Sequence, residues 1–150
     1  MKEIEYKFLV DKEQWQLMDK PDPELIVQGF ISKSKEAVVR VRIKGNKGFL
    51  TIKGETIGIT RQEFEFEIPL NEAEELLKNF TPKQIRKFRY ELKVGSNTWE
   101  VDEFQGNLRG LIIAELEVSS EDEKFEFPNW VTENVSTNPE YYNAVLIDKC

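Results

Sequence analysis

The chain of 150 residues has no histidine and a single cysteine, Cys150, at its last position. Without histidine it cannot build a Ser–His–Asp triad, a Cys–His dyad, an HExxH zinc site or an imidazole proton shuttle of its own. Acid–base work falls to carboxylates, lysine, tyrosine or water. One cysteine allows no internal disulfide and no thiolate metal cluster, which fits a reducing compartment. Any metal must be held through oxygen, which favours hard ions such as Mg²⁺ or Mn²⁺. No apolar run approaches the roughly 18 residues that cross a bilayer, and the charged N-terminus does not read as a signal peptide. The expectation is a cytoplasmic protein with no membrane partner. Positive charge is also in deficit: the formal net charge is −7. That argues against nucleic acid or an anionic membrane as partner while leaving room for a local basic pocket.

What is present is a folding composition, 39% hydrophobic and 11% aromatic, long enough for one domain with a real core, taken as 1–150. No repeat, linker or low-complexity tract interrupts it. The dominant periodicity is two, and it predicts strands near 2–10, 25–33, 36–45, 48–54, 58–69, 84–94, 97–105 and 109–119. GNKG at 45–48 and VGSN at 94–97 have the composition of hairpin turns. DKEQWQLM reads as a short helix capped by Asp11. PLNEAEELLKN reads as a helix with Asn71 as N-cap, Glu74 three residues on and Leu76 and Leu77 as its apolar stripe. NPEYYNAVLIDK reads as a final helix whose Tyr141, Ala144, Val145 and Ile147 cover apolar surface. The expected fold is α+β but mainly β: an eight-stranded antiparallel closed barrel with a few flanking helices, since closure removes exposed edges.

Alternate strand residues face opposite ways, and here the alternation sorts charge. The segment EIEYK sets Glu3, Glu5 and Lys7 on one face, opposite Ile4 and Tyr6. Arg40, Arg42 and Lys44 share a face in the third strand, Thr51 and Lys53 in the fourth. Arg61, Glu63, Glu65 and Glu67 share one in the fifth, and Lys87, Arg89 and Glu91 in the sixth. Glu100 and Asp102 follow in the seventh, Glu115 and Glu117 in the eighth. A barrel with an apolar lumen and a charged exterior, as in a lipid carrier, gives the same alternation. Two observations favour the charges facing inward. Cations and carboxylates are sorted by strand, and the amphipathic helices need an apolar exterior to cover. An inward charged face calls for a polyanion and cations to balance it, because unpaired buried charges are very costly. Basic side chains would clamp phosphate oxygens and carboxylates would hold divalent ions, the division of labour that phosphoryl transfer requires.

EIEYK resembles the ExExK signature of the CYTH domain, the triphosphate tunnel metalloenzyme superfamily. The resemblance continues in order through RVRI, LTIKGE, TRQEFEFEIPL, KFRYEL, WEVDEFQGNLRGLIIAELEV and YYNAVL, covering nearly the whole chain. It implies an eight-stranded barrel whose charged tunnel binds a triphosphate with a divalent metal. By position it implies that Glu3, Glu5, Asp102, Glu115 and Glu117 bind the metal, and that Glu63 and Glu65 hold a second ion or orient water. It implies that Lys7, Arg40, Arg42, Lys53, Lys87 and Arg89 bind the phosphates. Arg61 matches a recurrent arginine of open role. Arg61, Lys44, Glu67 and Glu91 are expected to be cross-strand ion-pair partners. One position departs from the family: the second strand reads VQGFI, with Phe30 where many bacterial members carry a tyrosine that partners the catalytic lysine. Phe30 puts a dyad of that kind in doubt, and Lys53 or Lys87 with a metal-polarised water is the remaining option.

The expected activity is metal-dependent hydrolysis of a triphosphate, foremost inorganic tripolyphosphate, with Mg²⁺ or Mn²⁺. Class IV adenylate cyclase and thiamine triphosphatase are the enzyme alternatives, and Trp15 or Trp130 is the candidate to stack on adenine or thiazolium at the tunnel mouth. A non-catalytic polyphosphate- or nucleotide-binding module is the alternative of a different class. Monomer and homodimer are both compatible with the sequence.

Overall fold

The computed structural model describes residues 1–150. Nine strands form a single antiparallel sheet: β1 (Lys2–Val10), β2 (Glu24–Lys33), β3 (Ala37–Lys44), β4 (Lys47–Gly54), β5 (Thr60–Ile68), β6 (Ile85–Val94), β7 (Asn97–Phe104), β8 (Ile112–Glu117) and β9 (Val131–Asn134). Their order is β5-β4-β3-β2-β6-β7-β8-β1-β9, and an additional β5–β1 pairing closes the first eight into a barrel. The closing seam is short: Lys2, Glu3 and Ile4 pair with Gln62, Arg61 and Thr60. Further along, β5 leaves and β9 takes its place, with Phe8 opposite Asn134 and Val10 opposite Val131. The sequence pattern contains the eight barrel strands. The ninth, VTEN, is too short and too polar to register as a period-two run.

The two predicted hairpin turns form. Lys44 pairs with Lys47 and Val94 with Asn97, leaving Gly45–Asn46 and Gly95–Ser96 as two-residue loops. Only the first residue of each has positive φ, +61° at Gly45 and +62° at Gly95. This type II′ pattern matches the strand twist and requires glycine there.

Three apolar clusters coat or plug the barrel. The largest lies outside β1, β7 and β8, where Phe8, Trp99, Val101, Ala114 and Leu116 meet Trp15 and Trp130. Trp15 arrives on α1 (Lys12–Leu17), whose N-cap Asp11 accepts from the Glu13 and Gln14 backbone N–H groups as its position predicts. Trp130 and Phe125 arrive on the loop after β8, which wraps the barrel wall. A second cluster sets Ala73 and Leu77 of α2 (Leu70–Phe80) on Val41, with Leu50 at its margin. The helix approaches so closely that a side chain on Gly48 would meet Ala73 Cβ at 2.6 Å. Asn71 does not cap α2. The helix begins at Leu70 after Pro69, with no side-chain cap, because Pro69 already fixes the entry and leaves Asn71 inside the first turn.

The third cluster corrects the reading of the C-terminus. The segment 138–149 is not one helix but a 3₁₀ turn (Pro139–Tyr141), a short helix α3 (Asn143–Leu146) and a second 3₁₀ turn (Ile147–Lys149). It does not lie on the barrel exterior. Leu146 and Ile147 pack against Ile85, Phe104 and Ile113, whose side chains share the strand face that carries the charges. The segment therefore enters the barrel and plugs one part of its interior. Its period is broken by Pro139 and by side chains that face the lumen, so it lacks a clean amphipathic signature.

The charged faces point inward. Nine charged side chains are buried: Glu3, Lys7, Arg40, Arg42, Lys53, Lys87, Arg89, Asp102 and Glu115. Leu50 lies beneath α2, and Ile52 is 37% exposed on the exterior. The apolar-lumen barrel of a lipid carrier is excluded by this parity.

Candidate active site

The lumen encloses a cavity of about 640 Å³ lined mostly by polar side chains from eight strands and the C-terminal segment. Its walls follow from strand register. Opposite charges face each other at Lys53 and Glu63, Lys7 and Glu115, and Arg89 and Asp102. Like charges face each other at Glu5 and Glu117 and at Glu100 and Glu115, an arrangement that destabilises a sheet unless a cation intervenes.

The densest network surrounds Asp102. Arg89 donates Nε and Nη2 to its two carboxylate oxygens at 2.7 and 2.8 Å, and a further bond from Nη2 reaches Glu115 at 2.9 Å. Lys87 Nζ lies 2.8 Å from Asp102 Oδ2. Burial alone would raise the Asp102 pKa, but Arg89 and Lys87 outweigh it and hold it down at about 2. Lys87 goes the other way. Its burial, with repulsion from Arg89 and Arg42, overcomes the attraction of Asp102 and brings its pKa down to about 7. Lys53 is also lowered, by burial and by Arg40 against the pull of Glu3. It lies 3.2 Å from Glu3 and 3.0 Å from Glu63. Lys7 pairs with Glu115 and lies 3.6 Å from Glu5. Despite burial, Lys7 and Arg89 hold the Glu115 carboxyl well below its ordinary range.

Two sets of charges are left unbalanced. Six of the buried charged side chains are cations and three are carboxylates, in a chain of formal charge −7. Arg42 donates Nε to Gln28 Oε1 at 2.8 Å and has no ion-pair partner. Arg40 reaches Thr51 and Glu65 only through Nη2, at 3.2 and 3.4 Å, and its Nε is buried with no partner at all. An orphaned guanidinium N–H inside a barrel marks a place for an anionic oxygen. Opposite in sign, Glu5, Glu100 and Glu117 all have raised pKa values. Burial is the first cause for each, and the second set of causes is other carboxylates: Glu115 for Glu5, Glu115 and Asp102 for Glu100, and Glu3 and Glu5 for Glu117.

An all-oxygen donor set whose members repel one another fits a hard divalent cation. No three of these carboxylates converge as a finished ligand cluster, because Glu3, Asp102 and Glu115 are each engaged by lysine or arginine. The fit lies in the chemistry of the donors and in the like-charge pairs Glu5–Glu117 and Glu100–Glu115.

Of the predicted metal, phosphate-binding and catalytic residues, all but Asp102 line this cavity directly, and Asp102 is bonded to two that do, Lys87 and Arg89. Glu65 and Glu117 are its exposed members, and Glu63 is half-buried between Lys53 and solvent. Arg61 pairs with Glu3 at 3.3 Å, and Lys44 with Glu91 at 3.3 Å, as expected of cross-strand partners. Glu67 is exposed and forms no ion pair. Trp15 and Trp130 are not at the tunnel mouth. They are 1% and 2% exposed in the outer aromatic cluster, their rings 5.5 Å apart. No stacking platform for a base comes from either.

The sequence reading left four lumen residues without a role. Glu100 was placed on the charged face of its strand but given no function, and Gln28 lies on the inward parity of its strand, where extending the face pattern through Ile26–Gln28–Phe30 finds it. Thr51, fully buried between Arg40 and Glu65, was noted only for its face. Asn143 carries no sequence signal, because nothing in an aperiodic segment says that it turns into a barrel.

Comparison with known proteins agrees with this picture. Residues 1–144 match the sequence model of the CYTH domain. An inorganic triphosphatase of Acetivibrio thermocellus is 43% identical over 147 residues, spanning 97% of this chain and 93% of the relative. An inorganic triphosphatase of Nitrosomonas europaea is 34% identical over 154 residues and 97% of both chains. Among solved structures, a crystal structure of an inorganic triphosphatase superposes with a TM-score of 0.65 at 31% identity, covering 97% of this chain and 93% of the other.

Proposed function

This chain belongs to the CYTH domain family, and from that premise we propose that it is an inorganic triphosphatase, a divalent-metal-dependent hydrolase of the phosphoanhydride bond of tripolyphosphate. The single observation that carries the reading is the pair of buried guanidinium groups left short of partners, Arg42 with no anion and Arg40 with an orphaned Nε. Burying them unpaired is unfavourable for the ligand-free barrel. A polyanion threaded through the lumen converts that deficit into binding energy.

The division of labour follows from the walls. Arg40 and Arg42 offer their unpaired guanidinium N–H groups to phosphoryl oxygens, and the planar fork suits bidentate contact. Lys7, Arg89, Lys53 and Lys87 extend the positive wall along the chain of phosphates. Glu3, Glu5, Asp102, Glu115 and Glu117 would hold the divalent ion, Mg²⁺ or Mn²⁺, with Glu63 and Glu65 placed for a second ion or for orienting water. When bound, that ion neutralises phosphate charge and makes a coordinated water more acidic. In hydrolysis, water oxygen bonds to the terminal phosphorus, the P–O bond to the bridging oxygen breaks, and orthophosphate and pyrophosphate leave. The water gives up one proton. Lys53 and Lys87, both held below the ordinary lysine range, are the groups in the lumen that can take it up at Nζ. The same cations bear the negative charge that builds on the leaving oxygen.

A substrate panel tests the reading. Purified protein with Mg²⁺ or Mn²⁺ is expected to release phosphate from tripolyphosphate faster than from ATP or thiamine triphosphate, and to form no cyclic AMP from ATP. Absence of metal-dependent release from all three would overturn it. Tripolyphosphate that raises the melting temperature without turnover would identify a binding module instead.

A further inference from the structure

We propose that Asn143, carried into the barrel by the C-terminal segment, positions Lys87 and presents its own amide N–H to the bound phosphate chain. The inference rests on the triphosphatase reading above and deepens it.

Lys87 is 1% exposed and has only two polar partners, Asp102 and Asn143. Asn143 Oδ1 accepts from Lys87 Nζ at 2.9 Å and from Gln28 Nε2 at 2.8 Å. Gln28, fully buried, is fixed at its other end by the Arg42 Nε donor. A line of hydrogen bonds therefore runs from Arg42 through Gln28 and Asn143 to Lys87, joining a phosphate-facing guanidinium to a lysine of the reaction centre. Two donors at one oxygen settle which way the amide points. Oδ1 must face Lys87 and Gln28, so Nδ2 faces away from them. Nδ2 meets no protein acceptor and is not a buried orphan. Asn143 lines the same cavity as Arg42, and its free N–H groups are neutral donors there.

The position is built rather than incidental. The Lys7 backbone N–H donates to Ser136 Oγ at 2.8 Å, and Tyr142 Oη donates to the Ser136 carbonyl at 3.1 Å. Just beyond Asn143, Leu146 and Ile147 are held in the apolar plug with Ile85 and Phe104. The strand residue nearest in role, Phe30, offers no hydroxyl to Lys87. The only neutral side chain bonded to that ammonium comes from the C-terminal segment.

Three proteins are compared for phosphate release from tripolyphosphate and for melting temperature: the parent, Asn143→Leu, which keeps the shape and loses every polar contact, and Asn143→Asp, which keeps the acceptor and loses the donor. Misplacing a reacting group costs on the order of 10²-fold, so kcat of Asn143→Leu is expected to fall by about 10- to 100-fold with its melting temperature near that of the parent. Asn143→Asp is expected to regain part of kcat with its pH optimum moved upward, because the new carboxylate raises the Lys87 pKa, while KM rises because that carboxylate faces the phosphates. The inference is overturned if Asn143→Leu keeps kcat and KM within about twofold of the parent, or if both variants lose activity and melting temperature in parallel. Failure of the triphosphatase reading is separate and visible in the parent, which would then show no turnover. In that event the tripolyphosphate-induced melting shift decides: an undiminished shift in Asn143→Leu overturns the contact.

Discussion

Lys87 Nζ lies 2.8 Å from Asp102 Oδ2, and both side chains are 1% exposed. The pair is unequal. Asp102 also holds Arg89 through two further bonds, whereas Lys87 has no second carboxylate. Removing either partner therefore has different consequences.

Asp102→Asn leaves two buried cations without their shared anion. Breaking a buried pair in this way costs about 3–5 kcal/mol, and a clear drop in melting temperature is expected. Lys87→Met removes a charge that burial disfavours, while Asp102 keeps Arg89. Its melting temperature is expected to match or exceed that of the parent. Its turnover is expected to fall on the order of 10²- to 10⁴-fold, the usual worth of a proton-transfer group. Thermal unfolding and phosphate release on the same samples check both halves.

Arg42→Gln tests the unpaired guanidinium. A hydrogen bond to a charged group contributes about 1.5–3 kcal/mol, so KM for tripolyphosphate is expected to rise about 10- to 100-fold. The ligand-free protein should gain stability, because a buried cation repelled by Arg40 and Arg89 has gone. Loss of both stability and affinity would contradict this assignment.

The dependence of stability on pH carries two opposite signs. Asp102 and Glu115 are held below their ordinary values. The stability they contribute is complete above those ordinary values and is lost as pH falls through the folded ones, at about 2 for Asp102. Glu5, Glu100 and Glu117 are raised above theirs, so they cost stability when ionised, and that cost fades as they take up protons. Lys87, lowered to about 7, costs stability once it is protonated, so near neutrality it opposes the raised carboxylates, and the melting temperature of the metal-free protein should collapse only in strong acid. Added Mg²⁺ or Mn²⁺ competes with protons for the same carboxylates, so its stabilising shift should be larger at about pH 7.5 than at about pH 5.5. Equal shifts at both would remove these residues from the metal site.

Much of this architecture is legible in the sequence because strand parity is strict. Glu3, Glu5 and Lys7 cannot leave the face that Asp102 and Glu115 share unless the register slips and exposes Phe8 and Leu116 to the lumen. The direction of that face is a different matter: alternation is symmetrical between inside and outside. Only the covering elements break the tie, Trp15 and Trp130 on one flank and Leu77 on another. What parity cannot show is the path of aperiodic chain. Trp130 reads as a free aromatic until the loop after β8 wraps around the barrel. Asn143 carries no signal of its own until Leu146 and Ile147 draw it into the plug. The like-charge pair Glu5–Glu117 needs the β1–β8 register, which the sequence alone does not give.

Phosphate release from tripolyphosphate, with and without Mg²⁺ or Mn²⁺, in the parent, Glu5→Gln and Lys53→Ala proteins decides whether this lumen is a metal-dependent triphosphatase site. Rapid release only with metal, a sharp loss of turnover in both variants, and a higher metal requirement in Glu5→Gln are expected. Metal-independent release, or near-normal rates in both variants, would contradict that reading.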